Sequence, residues 1–434
     1  MSQKSLRELL DKKEILRIED IPEDKKTILY SADFNVNPED SSYDRVDIEL
    51  KDLDSLIKRK KKVVILAHRG RYEDKREKRD IKFLSAYLKA KLSNIPDVAV
   101  NYRNPSIFVY EDGKVIDDRW FEEVSKSIAS AKEGEVLIIG NTRNHKGEES
   151  NDLELARKFS RLGEAIVVGG FGKAHRANSS NYAILDFIPS YIAGNFLEEV
   201  AKLEPFKGKS ERPSLAILGG LKKEKINAAK DFLELYQYLM PTGLVLNHFI
   251  RARYCEVGKS ILSEVKVKDE ETREKARIEA DELTEKAADM LRNPSYHSRI
   301  LLPRKVITAI KTEKGLDKVN CVDLYSEKVQ GDSMIVSFFL TDEMRKIFDY
   351  VSYEKGRNLL AGTPDINGKG PASLEIAARL MAEGAISLVL GGNSASDLGY
   401  TGTRSTGGGS AIEYLIKGNL KVLDKMVSVR DKFR

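Results

Sequence analysis

The segment from residue 136 to 168, VLIIGNTRNHKGEESNDLELARKFSRLGEAIVV, decides the fold of this chain. It contains two short apolar runs, Val136–Ile139 and Ala165–Val168, on either side of an amphipathic stretch, Asp152–Leu162. Runs that are apolar at every position are typical of parallel strands covered on both faces, and the stretch between them has the periodicity of a helix. The segment therefore predicts a β–α–β unit with a right-handed crossover.

The same alternation of apolar runs and amphipathic stretches continues along the whole chain. It is interrupted at Leu203–Pro213, a stretch rich in Pro, Gly, Lys and Ser, and Asn195–Leu203 before it is predicted to be a connecting helix. The sequence therefore predicts an α/β protein of two lobes. Further strands are predicted at Val63–Ala67, Val98–Val100, Leu215–Leu218, Leu244–Leu246 and Ile386–Leu390, and further helices at Phe121–Lys132, Lys222–Leu239, Lys268–Leu291 and Pro371–Glu383.

Length and composition set further limits. A chain of 434 residues is long enough for two domains of about 200 residues each. Its 73 Lys and Arg residues nearly balance its 68 Asp and Glu residues, so the net charge of +5 indicates no nucleic-acid partner. Two cysteines, Cys255 and Cys321, make no disulfide framework, and no uncharged apolar run approaches the ~20 residues that span a bilayer. We therefore expect a soluble, cytoplasmic protein with no membrane partner.

Three glycine-rich turns follow strands in the second half of the chain. They are Leu218–Lys222 (LGGLK), Leu390–Ser394 (LGGNS) and Ser405–Ser410 (STGGGS), and each leads into a predicted helix. Glycine lets the backbone approach an anion closely, and the first N–H groups of a helix point at it. One Gly-Gly turn is common in α/β proteins, but three together indicate a polyphosphate ligand. Neither the P-loop pattern nor GxGxxG occurs, so those two nucleotide folds are not supported.

A second set of candidate ligands lies in the first half of the chain. Ligands of open parallel sheets bind at the carboxyl ends of the strands, and clustered arginines suit a small acid with more than one negative charge. The alternative is that each arginine pairs with a surface carboxylate. The positions that follow strands are His68, Arg71, Arg143, His175 and Arg176, and Arg45 follows a predicted turn.

These residues lie in segments that resemble those of one family. Ala32–Val36 (ADFNV) resembles Val-Asp-Phe-Asn-Val, and Ala67–Arg71 (AHRGR) resembles Ser-His-Leu-Gly-Arg. Phe171–Ser180 (FGKAHRANSS) is similar to Phe-Gly-Thr-Ala-His-Arg-Ala-His-Ser-Ser. Further matches, in the same order along the chain, are Asn141–Glu149, Arg212–Gly220 and Ser405–Gly409. Together they make the chain resemble a divergent member of the phosphoglycerate kinase family.

The resemblance implies two Rossmann-like three-layer lobes with parallel sheets, joined by a hinge helix. Residues 1–195 would form the N-lobe, which binds a phosphorylated acid, and 196–212 the connecting helix and linker. Residues 213–414 would form the C-lobe, which binds the nucleotide, and 415–434 a segment that packs back on the N-lobe. The implied reaction moves the γ-phosphate of ATP, with Mg²⁺, to the carboxylate of 3-phosphoglycerate or a related acid, or runs in reverse. Such catalysis depends on positioning and charge stabilisation after hinge closure.

The resemblance also implies the residues of each site, in a protein that is a monomer by family habit. The acid site would consist of Asp33, Asn35, Arg45, His68, Arg71, Arg143 and Arg176. The groups that act on the transferred phosphoryl group would be Arg45, Lys222, Gly407 and Gly408. The adenine nucleotide would bind at Gly219, Gly220, Lys222, Lys225, Gly243, Gly391, Gly392, Asn393, Ser394 and Thr406, with Asn393 at the magnesium position.

The sequence departs from the family mainly in the nucleotide half. Asn393 replaces an aspartate that coordinates magnesium, so the metal should bind more weakly. One residue is missing between the two family lysines, which leaves Lys222 paired with Lys225 or Lys223. Bulkier residues stand at Met240–Leu244, and the family's Asn-Gly-Pro segment is replaced at Leu360–Ile366.

A further departure lies in the first half, where Asn-Asp-Ala-Phe-Gly becomes Val168–Gly172 (VGGFG). This segment is expected near the hinge and the acid pocket. Two functions follow from the whole pattern. The first is a working acyl-phosphate kinase of glycolytic type. The alternative is a non-catalytic or regulatory paralogue that binds a phosphorylated acid without transferring phosphate.

Overall fold

The computed structural model describes residues 6–12, 14–40, 42–92, 100–102, 110–111, 114–115, 119–366, 368–391 and 394–433. The strands within these residues are β1 (Leu16–Arg17), β2 (Thr27–Ser31), β3 (Lys62–Ala67), β4 (Val100–Tyr102), β5 (Tyr110–Glu111), β6 (Lys114–Val115), β7 (Val136–Asn141), β8 (Ala165–Val168), β9 (Ser190–Ile192), β10 (Ser214–Leu218), β11 (Tyr238–Pro241), β12 (Lys305–Thr312), β13 (Gly315–Asp323), β14 (Met334–Phe338), β15 (Arg357–Ala361), β16 (Ile386–Leu390) and β17 (Thr403–Ser405).

Helices connect most of these strands. They are α1 (Leu6–Asp11), α2 (Asp44–Asp47), α3 (Leu50–Lys58), α4 (Arg76–Arg79), α5 (Phe83–Lys91), α6 (Arg119–Ser130), α7 (Leu153–Ser160), α8 (Gly194–Leu203), α9 (Glu224–Leu235), α10 (Gly243–Tyr254), α11 (Glu270–Arg292), α12 (Pro294–His297), α13 (Asp342–Tyr353), α14 (Pro371–Met381), α15 (Ser394–Asp397), α16 (Gly409–Lys417) and α17 (Lys421–Val429).

The chain divides into two compact units. Unit 1 comprises residues 1–201 together with 417–434, and unit 2 comprises residues 202–416. The last helix, α17, therefore belongs to unit 1. There the N–H of Val422 donates to the carbonyl of Ala174 at 3.3 Å, and Lys425 Nζ lies 2.6 Å from Asp186 Oδ2.

Unit 1 is built on a parallel sheet with the strand order β1-β9-β8-β2-β3-β7-β4. Its central strands β2, β3, β7 and β8 are almost wholly buried, as runs covered on both faces must be. The strands predicted at Val63–Ala67, Val136–Ile139 and Ala165–Val168 are confirmed within this sheet. Of the strand predicted at Val98–Val100, only the last residue lies among the described residues, where it begins β4.

Unit 2 contains two sheets. A parallel sheet has the order β11-β10-β15-β16-β17, and an antiparallel sheet has the order β13-β12-β14. One hydrophobic core joins them, because Ile217 and Val389 of the parallel sheet belong to the same buried cluster as Val306 and Ile335 of the antiparallel sheet. The α/β class predicted from the sequence is confirmed, but the antiparallel sheet was not predicted.

One predicted strand in unit 2 is wrong. Leu244–Leu246 lies in α10, where the N–H of Leu246 donates to the carbonyl of Thr242 at 3.1 Å, four residues earlier. The strand of this region is β11, Tyr238–Pro241, which lies just before α10. The helix predicted at Lys222–Leu239 therefore ends earlier, as α9 at Leu235. The error has a physical cause, since a short apolar run is equally compatible with a buried strand and a buried helix turn.

The long charged helix predicted at Lys268–Leu291 is confirmed as α11. Its Leu283 and Ala287 are buried, and the helix packs on α9 and α10, whereas Ile278 is 46% exposed. Within the described residues, no helix is both long enough and apolar enough to cross a bilayer.

Candidate active site

The polar residues predicted for the acid site in unit 1 follow neighbouring strands. Asp33 comes after β2, His68 after β3, Arg143 after β7 and Arg176 after β8. These strands are adjacent in the sheet, in the order β8-β2-β3-β7, and all run in the same direction. Their carboxyl ends therefore meet at one edge, where open α/β sheets bind ligands. We call this edge of unit 1 the acid edge.

Asp33 and Arg45 form the first pair at the acid edge. Arg45 Nη1 lies 3.2 Å from Asp33 Oδ2, and the Arg45 side chain keeps 26% of its surface exposed. Asp33 is also fixed by its backbone, whose N–H donates to Glu49 Oε1 at 2.8 Å. Gly172 is required beside this pair, because a Cβ at that position would lie 2.0 Å from Asp33 Oδ2. Arg45 is thus held in place with donors still open to solvent.

Arg143 is the most deeply buried cation of the predicted set, at 4% exposure. Its Nη1 donates to the carbonyl of Gly70, its Nε lies 3.3 Å from Glu149 Oε1, and its backbone N–H donates to Asn141 Oδ1 at 2.8 Å. The alternative that each arginine pairs with a surface carboxylate applies to Arg143 only in part. Glu149 is itself held at this edge, because its Oε2 accepts the N–H of Tyr72 at 3.0 Å.

His68 lies beside Arg143 and is 5% exposed. Burial, and then the charge of Arg143, hold the pKa of His68 well below its usual value. The ring is therefore neutral near pH 7 and acts there as a hydrogen-bonding group rather than a cation.

The remaining predicted acid ligands are more exposed. Asn35 Oδ1 accepts the N–H of Gly70 at 3.2 Å, which fixes the backbone just before Arg71 at this edge. Arg176 Nε lies 3.3 Å from His175 Nε2, and its charge lowers the pKa of both His68 and Arg143. All seven predicted acid-site residues therefore fall at the acid edge, although for Arg71 it is the backbone that the contacts place.

Three buried charged residues near this edge were missed by sequence reasoning. They are Glu49, Glu148 and Lys173, each 5% exposed or less. A signal did exist for Lys173, because it stands where the resembling family segment has threonine. Nothing in the sequence marked the two glutamates as buried.

The glycine turns of unit 2 differ from expectation. The N–H of Gly219 donates to Ala361 O at 2.9 Å, that of Gly220 to Thr363 O at 2.8 Å, and that of Gly243 to Pro364 O at 3.0 Å. A Cβ at Gly219 would lie 2.0 Å from Thr242 Oγ1. These glycines allow the ends of β10, β11 and β15 to pack closely, and their own N–H groups are not turned towards a ligand.

The second and third turns both bond to Ser405. In the second turn the N–H of Gly391 donates to Ser405 O at 2.9 Å, and in the third the N–H of Gly407 donates to Ser405 Oγ at 3.1 Å. Gly408, at φ +50°, opens α16 into free space, and no acceptor among the described residues bonds its N–H. A helix start of this kind is an anion-binding geometry.

Of four further residues predicted to bind the nucleotide, two are described by the structure and two are not. Thr406 is buried just before the α16 start, and Ser394 opens α15. Gly392 and Asn393 lie outside the described residues, so the predicted magnesium position is not placed.

The structure separates the three candidate lysines. Lys223 is engaged by Glu279, whereas Lys222 is exposed. Lys225 has only 11% of its side chain exposed, and its Nζ lies 3.8 Å from a Cβ built on Gly220. Burial lowers the pKa of Lys225. Lys225 also pairs with a carboxylate, since its Nζ lies 3.7 Å from Glu224 Oε1 of the preceding residue. Lys222 and Lys225 both lie beside the first glycine turn, and Lys222 is the more exposed of the two.

A narrow cleft with mostly apolar walls opens beside the same turn. One buried carboxylate, Asp365, borders it and accepts Ser337 Oγ at 3.1 Å and the N–H of Ser373 at 3.2 Å. Other residues that line it are Gly220, Leu221, Gly243, Leu244, Asn247 and Ile261.

Comparison with known proteins shows the family of this chain. The family model described as phosphoglycerate kinase matches residues 18–418. The chain belongs to the phosphoglycerate kinase family. The phosphoglycerate kinase of Finegoldia magna is 29% identical over 413 residues, covering 92% of this chain and 95% of that protein. That of Fervidobacterium nodosum is 28% identical, covering 96% and 99%.

A solved structure agrees with the fold of this family member. The crystal structure of phosphoglycerate kinase from Pyrococcus horikoshii has a TM-score of 0.76 and 21% sequence identity. The likeness covers 96% of this chain and all of that one. At that identity it supports the two-lobe phosphoglycerate kinase fold and nothing finer.

Proposed function

We propose that this protein is a phosphotransferase of the phosphoglycerate kinase type. It moves the γ-phosphate of ATP to the carboxylate of 3-phosphoglycerate or a closely related phosphorylated acid, or runs in the reverse direction. The observation that carries the proposal is the acid edge of unit 1, where seven polar residues of the family's types follow adjacent parallel strands. Relatives named phosphoglycerate kinase, matched over 95% and 99% of their lengths, favour this function over a non-catalytic paralogue.

On the acid side, the chain supplies charge and hydrogen bonds at fixed positions. Arg143 and Arg176 would bind the phosphate or carboxylate of the acid, since the guanidinium fork matches both. Neutral His68 and Asn35 would complete the hydrogen bonds. Arg45, held by Asp33, would face the transferred phosphoryl group and stabilise the charge that develops on it.

On the nucleotide side, two features of unit 2 suit ATP or ADP. The cleft beside Gly220 and Gly243 would hold the nucleoside, with Lys225 and Lys222 near its phosphates. The start of α16 at Gly408 would donate to the transferred group. No cluster of three His, Cys, Asp or Glu side chains in the described part of the chain would hold a metal ion by itself. Magnesium would bind through the nucleotide phosphates, as this ion often does, with Asn393 at its predicted protein position.

The finer assignments form part of the same proposal. The functional regions are residues 1–195 for the acid and 213–414 for the nucleotide, with 196–212 as connector and 415–434 as a C-terminal segment of the acid lobe. We propose a monomer in the cytoplasm, without nucleic-acid or membrane partners. Both cysteines are exposed and unpaired, as is usual in a reducing compartment.

A coupled assay tests the proposal. Purified protein is supplied with ATP, Mg²⁺ and 3-phosphoglycerate, and acyl-phosphate formation is followed through its reduction by a coupling enzyme. Turnover is expected. Absence of turnover together with absence of nucleotide binding in calorimetry would reject the kinase function for this acid. Acid binding without turnover would instead support the non-catalytic paralogue.

One substitution sharpens that assay. Asn393→Asp restores the charge of the family's magnesium ligand and should raise turnover and lower the magnesium concentration needed for it. An unchanged magnesium dependence would show that position 393 does not serve the metal.

A further inference from the structure

Lys173 is a buried cation at the acid edge. It ends the 3-10 turn Phe171–Lys173 that follows β8, and it is 5% exposed. Its Nζ donates to the carbonyl of Leu66 at 3.3 Å, and the same carbonyl accepts the N–H of Ala32 at 3.0 Å. The ammonium group therefore lies where the ends of β2 and β3 meet. Asp33 and His68 follow those two ends directly.

Gly170 packs against both this lysine and the backbone that precedes Asp33. A Cβ at Gly170 would lie 2.8 Å from Lys173 Cε, 2.9 Å from the backbone nitrogen of Asp33 and 3.0 Å from the carbonyl carbon of Ala32. The family segments that resemble this region have alanine at the position of Gly170 and threonine at that of Lys173. Both departures from the family therefore lie in one tightly packed place, at the end of β2.

Two buried carboxyl groups interact electrostatically with the ammonium group. Glu49, 1% exposed, accepts the N–H of Asp33, and Glu148, 2% exposed, accepts the N–H of Ser180 at 3.0 Å. Burial raises the pKa of both carboxyl groups, and the charge of Lys173 opposes that rise. Burial in turn lowers the pKa of Lys173. Since buried charges are little screened by salt, this cation acts strongly on its neighbours.

We propose that Lys173 is a further positioning residue of the acid site. From beneath Asp33 and His68 its ammonium group adds positive charge to the pocket that receives the phosphorylated acid, and it holds together the two strand ends that carry those ligands. This inference rests on the proposed function and deepens it. Threonine at this position would supply neither the charge nor the reach to Leu66.

The loop that carries the exposed ligand is tied to the same residue. Asn181 Nδ2 donates to the carbonyl of Lys173 at 3.2 Å and to that of Arg176 at 3.1 Å. Both acceptors are main-chain carbonyls, so this amide fixes the backbone between Lys173 and Arg176 whatever the side chain at 173. The lysine side chain itself bonds at the ends of β2 and β3, which carry Asp33 and His68.

The test compares Lys173→Met with a matched buried lysine of the same unit. Lys61 is fully buried at the opposite end of β3, where Nζ donates to the carbonyls of Pro22 and Glu23 at 3.1 Å each. Lys173→Met should lower the affinity for 3-phosphoglycerate, measured by calorimetry, by about tenfold or more. Lys61→Met should lower the melting temperature and leave that affinity unchanged. Equal losses of affinity in both variants would overturn the proposal.

A double variant separates charge from stability. Lys173→Met alone removes the positive charge that opposes the rise in the pKa of buried Glu49, and this by itself should destabilise unit 1. In Lys173→Met with Glu49→Gln neither partner is charged, so the melting temperature should recover while the acid affinity stays low. If acid affinity recovers together with the melting temperature, Lys173 is only a structural residue and the proposal is wrong.

A ligand-free measurement keeps the inference independent of the chosen acid. The pH at which the His68 ring titrates is followed by NMR, with the signal assigned through His68→Gln. Burial lowers the pKa of this ring most, and four cations around it, Arg143, Lys173, Arg176 and Arg45, lower it further. Removing the ammonium group in Lys173→Met should therefore raise that pH. If wild-type protein does not bind 3-phosphoglycerate, the proposed function fails for that acid, whereas an unchanged His68 titration overturns the role of Lys173.

Discussion

The acid edge of unit 1 and the glycine turns of unit 2 occupy equivalent places, at the carboxyl ends of parallel strands, but their polar groups are used differently. At the acid edge the charged side chains are fixed by specific partners, as Arg45 is by Asp33 at 3.2 Å, and still face outward. At the glycine turns most N–H groups are bonded within the chain, as that of Gly220 is to Thr363 O at 2.8 Å.

The difference shows that one sequence signal has two physical uses. Glycine after a strand permits close approach of backbone to an anion, but it equally permits close approach of backbone to backbone. In unit 2 the second use dominates, and Gly408 at the start of α16 is the clearest case of the first. Charged residues after a strand are less ambiguous, because a buried charge is stable only with partners that define its position.

The largest effect is expected from Arg143→Ala. This change removes the buried guanidinium of the acid edge and leaves Glu149 and the carbonyl of Gly70 without their partner. Affinity for 3-phosphoglycerate should fall by about 4 kcal/mol, in the range found for truncating one member of a desolvated charge pair. Calorimetry measures the loss, with nucleotide affinity in the same variant as the control. Wild-type acid affinity would exclude Arg143 from the site.

The second prediction compares the loss of unfolding free energy on replacing two glycines of unit 2 by alanine. Gly219→Ala places a Cβ 2.0 Å from Thr242 Oγ1 and 2.8 Å from Thr363 O, so unfolding free energy should fall by about 3 kcal/mol. Gly408→Ala meets nothing within 4 Å, and its cost is the left-handed backbone alone, about 1 kcal/mol. Urea unfolding measures both. Equal losses would mean that packing does not distinguish the two turns.

The pH dependence of stability provides a third comparison. Burial lowers the pKa of His248 in unit 2 to about 4 and that of His145 in unit 1 to about 3. Below about pH 6.5 the unfolded chain protonates these rings while the folded chain does not, so their stabilising effect is full above that pH and is lost as the pH falls. For His248 the loss is complete near pH 4 and amounts to about 3 kcal/mol.

The matching experiment is urea unfolding between pH 7.5 and 4.5. His248→Gln should flatten the loss of stability of unit 2 in this range, and His145→Gln should do the same for unit 1. A slope for unit 2 that is unchanged by His248→Gln would contradict the prediction.

Much of the fold could be predicted from the sequence, for a physical reason. Strands such as β3 and β8 are buried on both faces, so they appear as unbroken apolar runs. Strand β13 could not be found in this way, because all its positions from Gly315 to Cys321 are exposed and it shows no apolar run. The run Leu244–Leu246 was wrongly predicted as a strand, because an apolar run of three residues does not distinguish a buried strand from a buried helix turn.

The residues of the candidate site also divide into those that could be predicted from the sequence and those that could not. Residues such as Asp33, His68 and Arg176 could be proposed because their segments resemble those of a family. Glu49 and Glu148 could not, since each is buried through contacts with elements distant in sequence, and single-residue patterns carry no record of those contacts. Lys173 was marked only by standing where the family segment has threonine. Likewise, the sequence does not show that the N–H of Gly220 donates to Thr363 O, because Thr363 follows β15, which is distant in sequence.

A smaller loss of acid affinity than in Arg143→Ala is expected from Arg176→Ala, and it distinguishes exposed from buried ligands of the acid edge. Arg176 is exposed and solvated when no acid is bound, so its removal leaves no buried partner behind. It should lower acid affinity by about 2 kcal/mol and leave unfolding free energy unchanged. Arg157→Ala, another exposed arginine of unit 1, whose Nε lies 3.8 Å from Glu154, serves as the matched control and should not change acid affinity. If Arg176→Ala binds the acid as wild type does, the site is confined to the buried residues and the loop of Arg176 is not part of it.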